Sequence, residues 1–182
     1  MDAWDEQRLH FEREALPHAK SLLRTAWRLT QSLAAAEDLV QDTLLVAWRT
    51  FERYERGTDC KAWLFRIMLN GSSRRRSQAQ RQDKLFTSLD EGDNFAAKAH
   101  RDGAPLSWEV EAMLKALPEE QRAVLLLAVV EGFTCREISE ITNAPVGTVM
   151  SRLSRARAAM RDQLLPYEGW FPRQREKKAH GM

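Results

Sequence analysis

The residues best suited to a chemical task lie on one predicted helix, where arginine and serine recur. In "APVGTVMSRLSRARAAMR" a Pro-x-Gly turn is followed by four arginines, with no acidic residue between Gly147 and Arg161. Arginine can bind guanine with two hydrogen bonds, and serine or threonine can meet bases or phosphates. A helix fits the major groove, so this pattern favours contact with duplex DNA. The alternative is a solvated arginine face with a purely structural role.

Groups that enzymes use are scattered along the chain. Cys60 and Cys135 are far apart, with no CxxC spacing and no histidine pair nearby, so neither a disulfide framework nor a zinc site is predicted. No glycine-rich loop could cradle a phosphate. The sequence therefore predicts no cofactor, no metal and no enzymatic activity. The histidines fall in the N-terminal helices, a polar segment and the tail: His10, His18, His100 and His180.

Composition sets the general class of the protein. The chain has 182 residues, 43% of them hydrophobic, and a formal net charge of +2, so any strongly basic surface must be local. No apolar run approaches the roughly 18 residues that a membrane span requires. We expect a soluble intracellular protein, in the cytoplasm and without membrane insertion.

The spacing of apolar residues predicts an all-α fold of two small helical domains joined by a flexible linker. Glycine and proline are scarce, and apolar residues recur at intervals of three and four. A polar segment with weak periodicity follows Arg76. The predicted boundaries are 1–76 for the first domain, 77–107 for the linker, 108–165 for the second domain and 166–182 for a tail.

Four helices are predicted in the first domain. They cover 5–20, with Pro17 as a possible break, then 18–29, a segment from about 34, and a fourth helix that Asp59 caps after a turn. Gly71 is expected to end or bend the fourth helix, because glycine costs roughly 1 kcal/mol in a helix interior.

The second domain has the pattern of a helix-turn-helix. Pro118 opens one helix and Gly132 ends it, while Thr134 and Glu137 have the spacing of a capping box. The turn "NAPVG" then leads into the arginine-rich helix. The residues expected to pack the two helices together are Ile138, Ile141, Val146, Val149 and Leu153. The residues expected to face outward are Thr148, Met150, Ser151, Arg152, Ser154, Arg155 and Arg157.

Two separated blocks resemble regions 2 and 4 of the sigma-70 family, specifically its extracytoplasmic-function (ECF, group IV) sigma factors. They are "AEDLVQDTLLVAWRTFERYERGTDCKAWLFRIMLN" and "LPEEQRAVLLLAVVEGFTCREISEITNAPVGTVMSRLSRARAAM". Both occur in the family's order with a linker between them, and no segment similar to region 3 or region 1.1 is seen. Together with the preceding "LLRTAWRLT" they cover more than half of the chain.

The resemblance implies an initiation factor and its partners. These are core RNA polymerase, through the beta-prime clamp helices and the beta flap, promoter DNA, and an anti-sigma factor. The segment "DLVQD" matches the part of the family that grips the clamp helices, which assigns core binding to Asp38, Gln41 and Asp42. An acidic, partly apolar helix face also suits a basic protein partner, although a solvated helix end would look the same.

The loop "ERGTDCK" and the following helix match the segment that reads and melts the minus-10 element. Capturing unpaired bases requires a pocket, aromatic platforms and cations. The resulting set is Gly57, Thr58, Asp59, Cys60, Lys61, Trp63, Arg66, Asn70, Arg74, Arg75 and Arg76. A core position is the competing interpretation of Trp63, and Arg74, Arg75 and Arg76 are expected to contact phosphates rather than bases.

The minus-35 element is assigned by the resemblance to the outward face of the arginine-rich helix. Met150 departs from the family there, since relatives often carry a cation, and it would shift contact toward groups such as a thymine methyl.

Two other classes of protein are compatible with parts of the sequence. A dimeric operator-binding regulator would explain the helix-turn-helix but would leave "DLVQD" without a purpose. A domain that binds only proteins would not need the arginine face.

Overall fold

The computed structural model describes residues 3–55, 57–83 and 107–164, and within these ranges all regular structure is helical. The all-α prediction is therefore confirmed. Most of the predicted linker and the predicted tail lie outside the described residues. The helices are α1 (Ala3–Glu14), α2 (Ala19–Thr30), α3 (Leu33–Thr50), α4 (Cys60–Asp83), α5 (Ser107–Ala116), α6 (Glu119–Val129), α7 (Cys135–Thr142) and α8 (Val146–Leu164), with short 3-10 turns at Leu16–His18 and Phe51–Arg53.

Helices α1 to α4 form an N-terminal unit. The prediction of a single helix over 5–20 is wrong, because α1 ends at Glu14 and Pro17 lies in a 3-10 turn before α2. Proline lacks a backbone N–H and cannot continue the α-helical hydrogen bonding. The possible break at Pro17 is the part of that prediction that the fold confirms.

Helix α3 begins at a side-chain cap and buries one face against α2 and α4. The hydroxyl of Ser32 accepts a hydrogen bond from the N–H of Ala35 at 3.3 Å. Apolar residues of α3 join aromatic side chains from α1 and α4, and the ring of Phe51 lies 5.1 Å from that of Phe11. This packing leaves the opposite face of α3 in solvent.

Helix α4 starts as predicted but continues further than predicted. The Asp59 carboxylate accepts a hydrogen bond from the N–H of Ala62 at 3.1 Å, as expected of an N-cap. The helix then passes through Gly71 and ends at Asp83, so of the two predicted alternatives the end at Gly71 is wrong. A Cβ at Gly71 would lie 3.7 Å from Leu39 of α3. Packing against α3 outweighs the low helix propensity of one glycine.

Helices α5 to α8 form a C-terminal unit around a core of aliphatic side chains. Val124, Leu126 and Leu127 of α6 are fully buried. After α6, Gly132 adopts a left-handed backbone with φ of +79°, which only glycine reaches at little cost. This turn directs the chain from α6 into α7.

The two units pack against each other. Helix α4 lies against α7, and α2 lies against α5 and α6. Phe65 of α4 meets Phe133 of the C-terminal unit edge to face, with ring centroids 5.6 Å apart. Residues of both units thus share one apolar core. Within the part of the chain that the structure describes, none of the helices combines the length and the apolar character needed to cross a membrane.

Candidate nucleic-acid interface

Local structure defines both ends of α7. The N–H of Thr134 donates to the Glu137 carboxylate at 2.7 Å, and the N–H of Glu137 donates to the Thr134 hydroxyl at 3.3 Å. The predicted capping box is therefore confirmed. Hydrogen bonds from the backbone and then the side chain of Thr134 lower the pKa of Glu137. At the other end of α7, Asn143 is left-handed with φ of 52°.

Helices α7 and α8 are held together by apolar side chains, as the sequence predicts with one exception. Ile138, Ile141, Val149 and Leu153 are all buried. Val146 is 40% exposed, so its assignment to this contact is wrong. It is the first residue of α8.

The outward face of α8 carries most of the residues that the sequence assigns to it. Thr148 and Arg152 are half-buried, and the remaining members are exposed: Met150, Ser151, Ser154, Arg155 and Arg157. The Ser151 hydroxyl donates to the Thr148 carbonyl at 2.9 Å. Its oxygen can still accept from a donor on DNA.

Arg152 differs from the other arginines of α8. Its guanidinium forms an ion pair with Glu120 of α6, and its side chain is 24% exposed. Glu120 lies 32 positions from Arg152 in the sequence, so no local pattern indicates this ion pair. Arg155 and Arg157 are exposed, so α8 presents them more openly than Arg152.

The exposed face of α3 matches the predicted acidic and partly apolar surface. Asp38, Gln41 and Asp42 are exposed. Beside them, Leu45 and Val46 are 46% and 44% exposed, although both are aliphatic. A buried apolar face and an exposed apolar strip on the same helix are typical of an element that binds a partner.

The loop before α4 is held by hydrogen bonds and ends at a buried thiol. The Tyr54 hydroxyl donates to the Thr58 carbonyl at 2.6 Å, and Gly57 is left-handed with φ of +87°. Gly57, Thr58 and Asp59 are exposed, whereas Cys60 is 5% exposed. Burial, together with the nearby charges of Glu14 and Asp59, raises the pKa of Cys60 to about 11. Cys60 therefore cannot present its thiol to a DNA base. Only its backbone could contribute to the predicted pocket for minus-10 bases.

Trp63 lies in an aromatic cluster rather than free in solvent. Its half-buried ring is 5.0 Å from that of Tyr54 and 6.2 Å from that of Phe51. This supports the interpretation of Trp63 as a core residue. Asn70 is exposed further along α4. Arg74, Arg75 and Arg76 fall on the helical stretch after Gly71.

Two cations assigned to the minus-10 element contact the C-terminal unit. The ammonium of Lys61 lies 2.9 Å from the Glu131 carboxylate and donates to the Glu131 carbonyl at 2.8 Å. The guanidinium of Arg66 donates twice to the Glu140 carbonyl, at 2.9 and 2.7 Å. That carbonyl belongs to the C-terminal half of α7, where the helix dipole favours a cation.

Sequence reasoning missed the group of residues around Glu131. The Glu131 side chain is fully buried, and its carboxylate accepts from four side chains of the N-terminal unit. We call these four donors the Glu131 pocket: Ser21, Arg24, Thr25 and Lys61. Burial by itself raises the pKa of Glu131, but hydrogen bonds from the four donors outweigh it and lower the pKa to about 2. No local pattern in the sequence indicates this contact, because Glu131 is 110 positions from Ser21.

Family models match both units of the chain. The model for sigma-70 region 2 matches residues 16–82, and the model for sigma-70, region 4 matches residues 107–160. The first match ends within one residue of the end of α4, and the second begins at the first residue of α5. The fold and both matched regions thus define a protein of the sigma-70 class.

Relatives and solved structures narrow this class. ECF RNA polymerase sigma factor EcfG of Rhodopseudomonas palustris (strain TIE-1) is 32% identical over 152 residues, which are 81% of each chain. ECF RNA polymerase sigma factor SigE of Mycolicibacterium smegmatis is 32% identical over 171 residues, and the match spans 90% of this chain but 62% of that relative. The chain belongs to the ECF RNA polymerase sigma factors.

The structural comparison agrees with this family. The sigma factor RpoE of Bartonella quintana, solved in complex with the anti-sigma factor NepR, superposes with a TM-score of 0.73 at 31% identity. The superposition covers 86% of this chain and 97% of that one. CnrH, solved with the cytosolic domain of CnrY, is 24% identical with a TM-score of 0.63 and shares the fold.

Proposed function

We propose that this chain is an alternative sigma factor that binds core RNA polymerase and directs transcription initiation from specific promoters. The observation that carries the proposal is that α8 is amphipathic. Val149, Leu153 and Ala156 are buried on one face, and the opposite face is polar and cationic. A recognition helix requires this division. The proposed activity is non-enzymatic and takes place in the bacterial cytoplasm, where polymerase and promoters are found.

In this proposal α8 recognises the minus-35 element. Exposed arginines can bind guanine edges in the major groove, and serine hydroxyls can contact bases or phosphates. Arg155 and Arg157 are the leading candidates because they are exposed, whereas Arg152 must first leave Glu120 or bind DNA at the edge of that ion pair. Met150, which is 57% exposed, would contact an apolar group such as a thymine methyl.

The exposed face of α3 is proposed to bind the clamp helices of core polymerase. Asp38 and Asp42 supply charge that would steer a basic partner, and Leu45 and Val46 supply apolar area next to it. The C-terminal unit would contact the beta flap, as the resemblance to the family implies.

The loop before α4 and the exposed face of α4 are proposed to read and hold the opened minus-10 element. Gly57, Thr58 and Asp59 are exposed and ordered by the hydrogen bonds of the loop. Lys61 and Arg66 would supply cations for the DNA backbone once they are released from the C-terminal unit.

An anti-sigma factor is the proposed regulator. The relative RpoE was solved bound to the anti-sigma factor NepR, and this chain matches nearly the whole length of that RpoE chain. An inhibitor of this kind would act by covering the surfaces that bind polymerase and DNA.

In vitro transcription with purified core RNA polymerase and genomic DNA fragments tests the proposed function. We expect new transcripts from discrete start sites, and their loss with the double variant D38A/D42A. The matched control E12A/E52A removes the same charge from exposed positions outside α3 and should keep the activity. Sequence-specific duplex binding without any new transcript would instead identify an operator-binding regulator.

A further inference from the structure

Where the two units meet, basic side chains of the N-terminal unit contact oxygen acceptors of the C-terminal unit. Basic side chains contact the phosphate oxygens of DNA in the same way. Every charged side chain that the N-terminal unit contributes to the Glu131 pocket is basic, and the group it surrounds is a carboxylate. Close by, Arg66 meets the carbonyl of Glu140. The C-terminal unit thus presents negative charge where α4 presents positive charge.

The Glu131 pocket has the composition of an oxyanion site. Arg24 donates to the carboxylate at 3.0 Å, the Thr25 hydroxyl donates at 2.8 Å, and the Ser21 hydroxyl donates to the second oxygen. Lys61 lies 2.9 Å from that second oxygen. Two cations and two hydroxyls that converge on a pair of oxygens can bind a phosphate as well as a carboxylate.

Withdrawal of Glu131 would leave these donors without their anion. Arg24 and Lys61 would then repel each other, and the buried Thr25 would lose its acceptor. Another anion would be favoured at this place. Lys61 is also a residue that the proposed function assigns to DNA, so the backbone of promoter DNA would lie within reach of the pocket.

We propose that the Glu131 pocket is a binding site for a DNA phosphate and that Glu131 occupies it as an internal competitor. In the closed arrangement, in which the two units meet through Glu131, the N-terminal unit cannot hold that phosphate. Separation of the two units frees the four donors of the Glu131 pocket, which include Lys61, and at the same time releases Arg66. This inference rests on the proposed function, because it assumes that the N-terminal unit binds DNA.

The first test removes the competitor from the full-length protein. E131Q keeps the shape of the side chain but removes its charge, and E131A removes the group, so the two variants should act alike. We expect a larger radius of gyration in small-angle X-ray scattering and about tenfold tighter binding of a fluorescein-labelled single-stranded oligonucleotide, because more molecules are open. E140Q is the matched control, since Glu140 is exposed and contacts Arg66 through its backbone carbonyl.

The second test removes a donor of the pocket in the open variant. E131Q/R24Q should lose most of the gained affinity, and its salt dependence should fall by about 0.7 in log–log slope for one phosphate on a single strand. The control E131Q/R13Q removes an exposed arginine of α1 and should bind like E131Q. Equal affinity and slope for E131Q/R24Q and E131Q would overturn the phosphate site.

These measurements are independent of the test of function. The oligonucleotide assay contains no polymerase. If the wild-type protein initiates transcription, but E131Q and E131A have the same radius of gyration and the same DNA affinity as the wild type, this inference alone is overturned. Failure to initiate with core polymerase would defeat the proposed function instead. Circular dichroism of each variant establishes that the helices are retained.

Discussion

Arg152 and Arg155 lie close together on α8 but have different surroundings. Arg152 is paired with Glu120, whereas Arg155 is exposed and extends from the face opposite the buried Val149 and Leu153. An exposed ion pair contributes at most about 1 kcal/mol, so Arg152 can exchange Glu120 for DNA. Arg155 requires no such exchange.

Replacement of Arg155 by alanine should weaken DNA binding specifically. Loss of an arginine that contacts a guanine costs about 1–3 kcal/mol, so R155A should bind minus-35 duplexes about fivefold to 150-fold more weakly. Fluorescence anisotropy with promoter fragments from the transcription assay measures this change. Binding to core polymerase should stay at the wild-type level, and simultaneous loss of both would contradict the separate roles of α8 and α3.

At the scale of elements, the helix ends were the most predictable features. Asp59 and the Thr134–Glu137 capping box were identified correctly because a cap joins a side-chain oxygen to a backbone N–H only three positions away. Of the two wrong predictions, one helix over 5–20 gave too little weight to the local effect of Pro17, whereas a helix end at Gly71 gave too little weight to packing against α3. Propensity is a weak guide when a neighbouring helix such as α3 covers the position.

The capping box makes a measurable contribution to stability. T134A removes the side-chain oxygen that accepts from Glu137 and should lower the free energy of unfolding by about 1 kcal/mol. T134S keeps an equivalent hydroxyl and should unfold close to the wild-type midpoint. Urea titrations followed by circular dichroism compare the three proteins. A T134A midpoint equal to that of T134S would show that the cap contributes nothing measurable.

At the scale of the whole molecule, the sequence predicted the two units but not their contact. The outward faces of α3 and α8 follow from helical periodicity, which depends on neighbours in the chain. Three donors of the Glu131 pocket lie more than 100 positions from Glu131 in the sequence, and the fourth, Lys61, lies 70 positions from it. No periodicity or motif links such residues, and Glu131 in the sequence is simply an acidic residue before Gly132.

The lowered pKa of Glu131 determines how the contact responds to acid. Its ordinary value is 4.5, and in the closed arrangement the four donors of the Glu131 pocket hold it at about 2. A carboxylate with a lowered pKa contributes fully above its ordinary pKa and loses this contribution as the pH falls through the lowered value. The difference corresponds to about 3 kcal/mol in favour of the closed arrangement at neutral pH.

The wild-type protein should therefore open between about pH 4.5 and pH 2, whereas E131Q should show no such step. Burial raises the pKa of Glu111, against the opposing effect of Arg28, so protonation of Glu111 is one source of any change above pH 4.5. Small-angle scattering reports the separation of the units, and circular dichroism reports loss of helix. A wild-type radius that expands only when helicity is lost, at the same pH as in E131Q, would mean that Glu131 does not hold the units together.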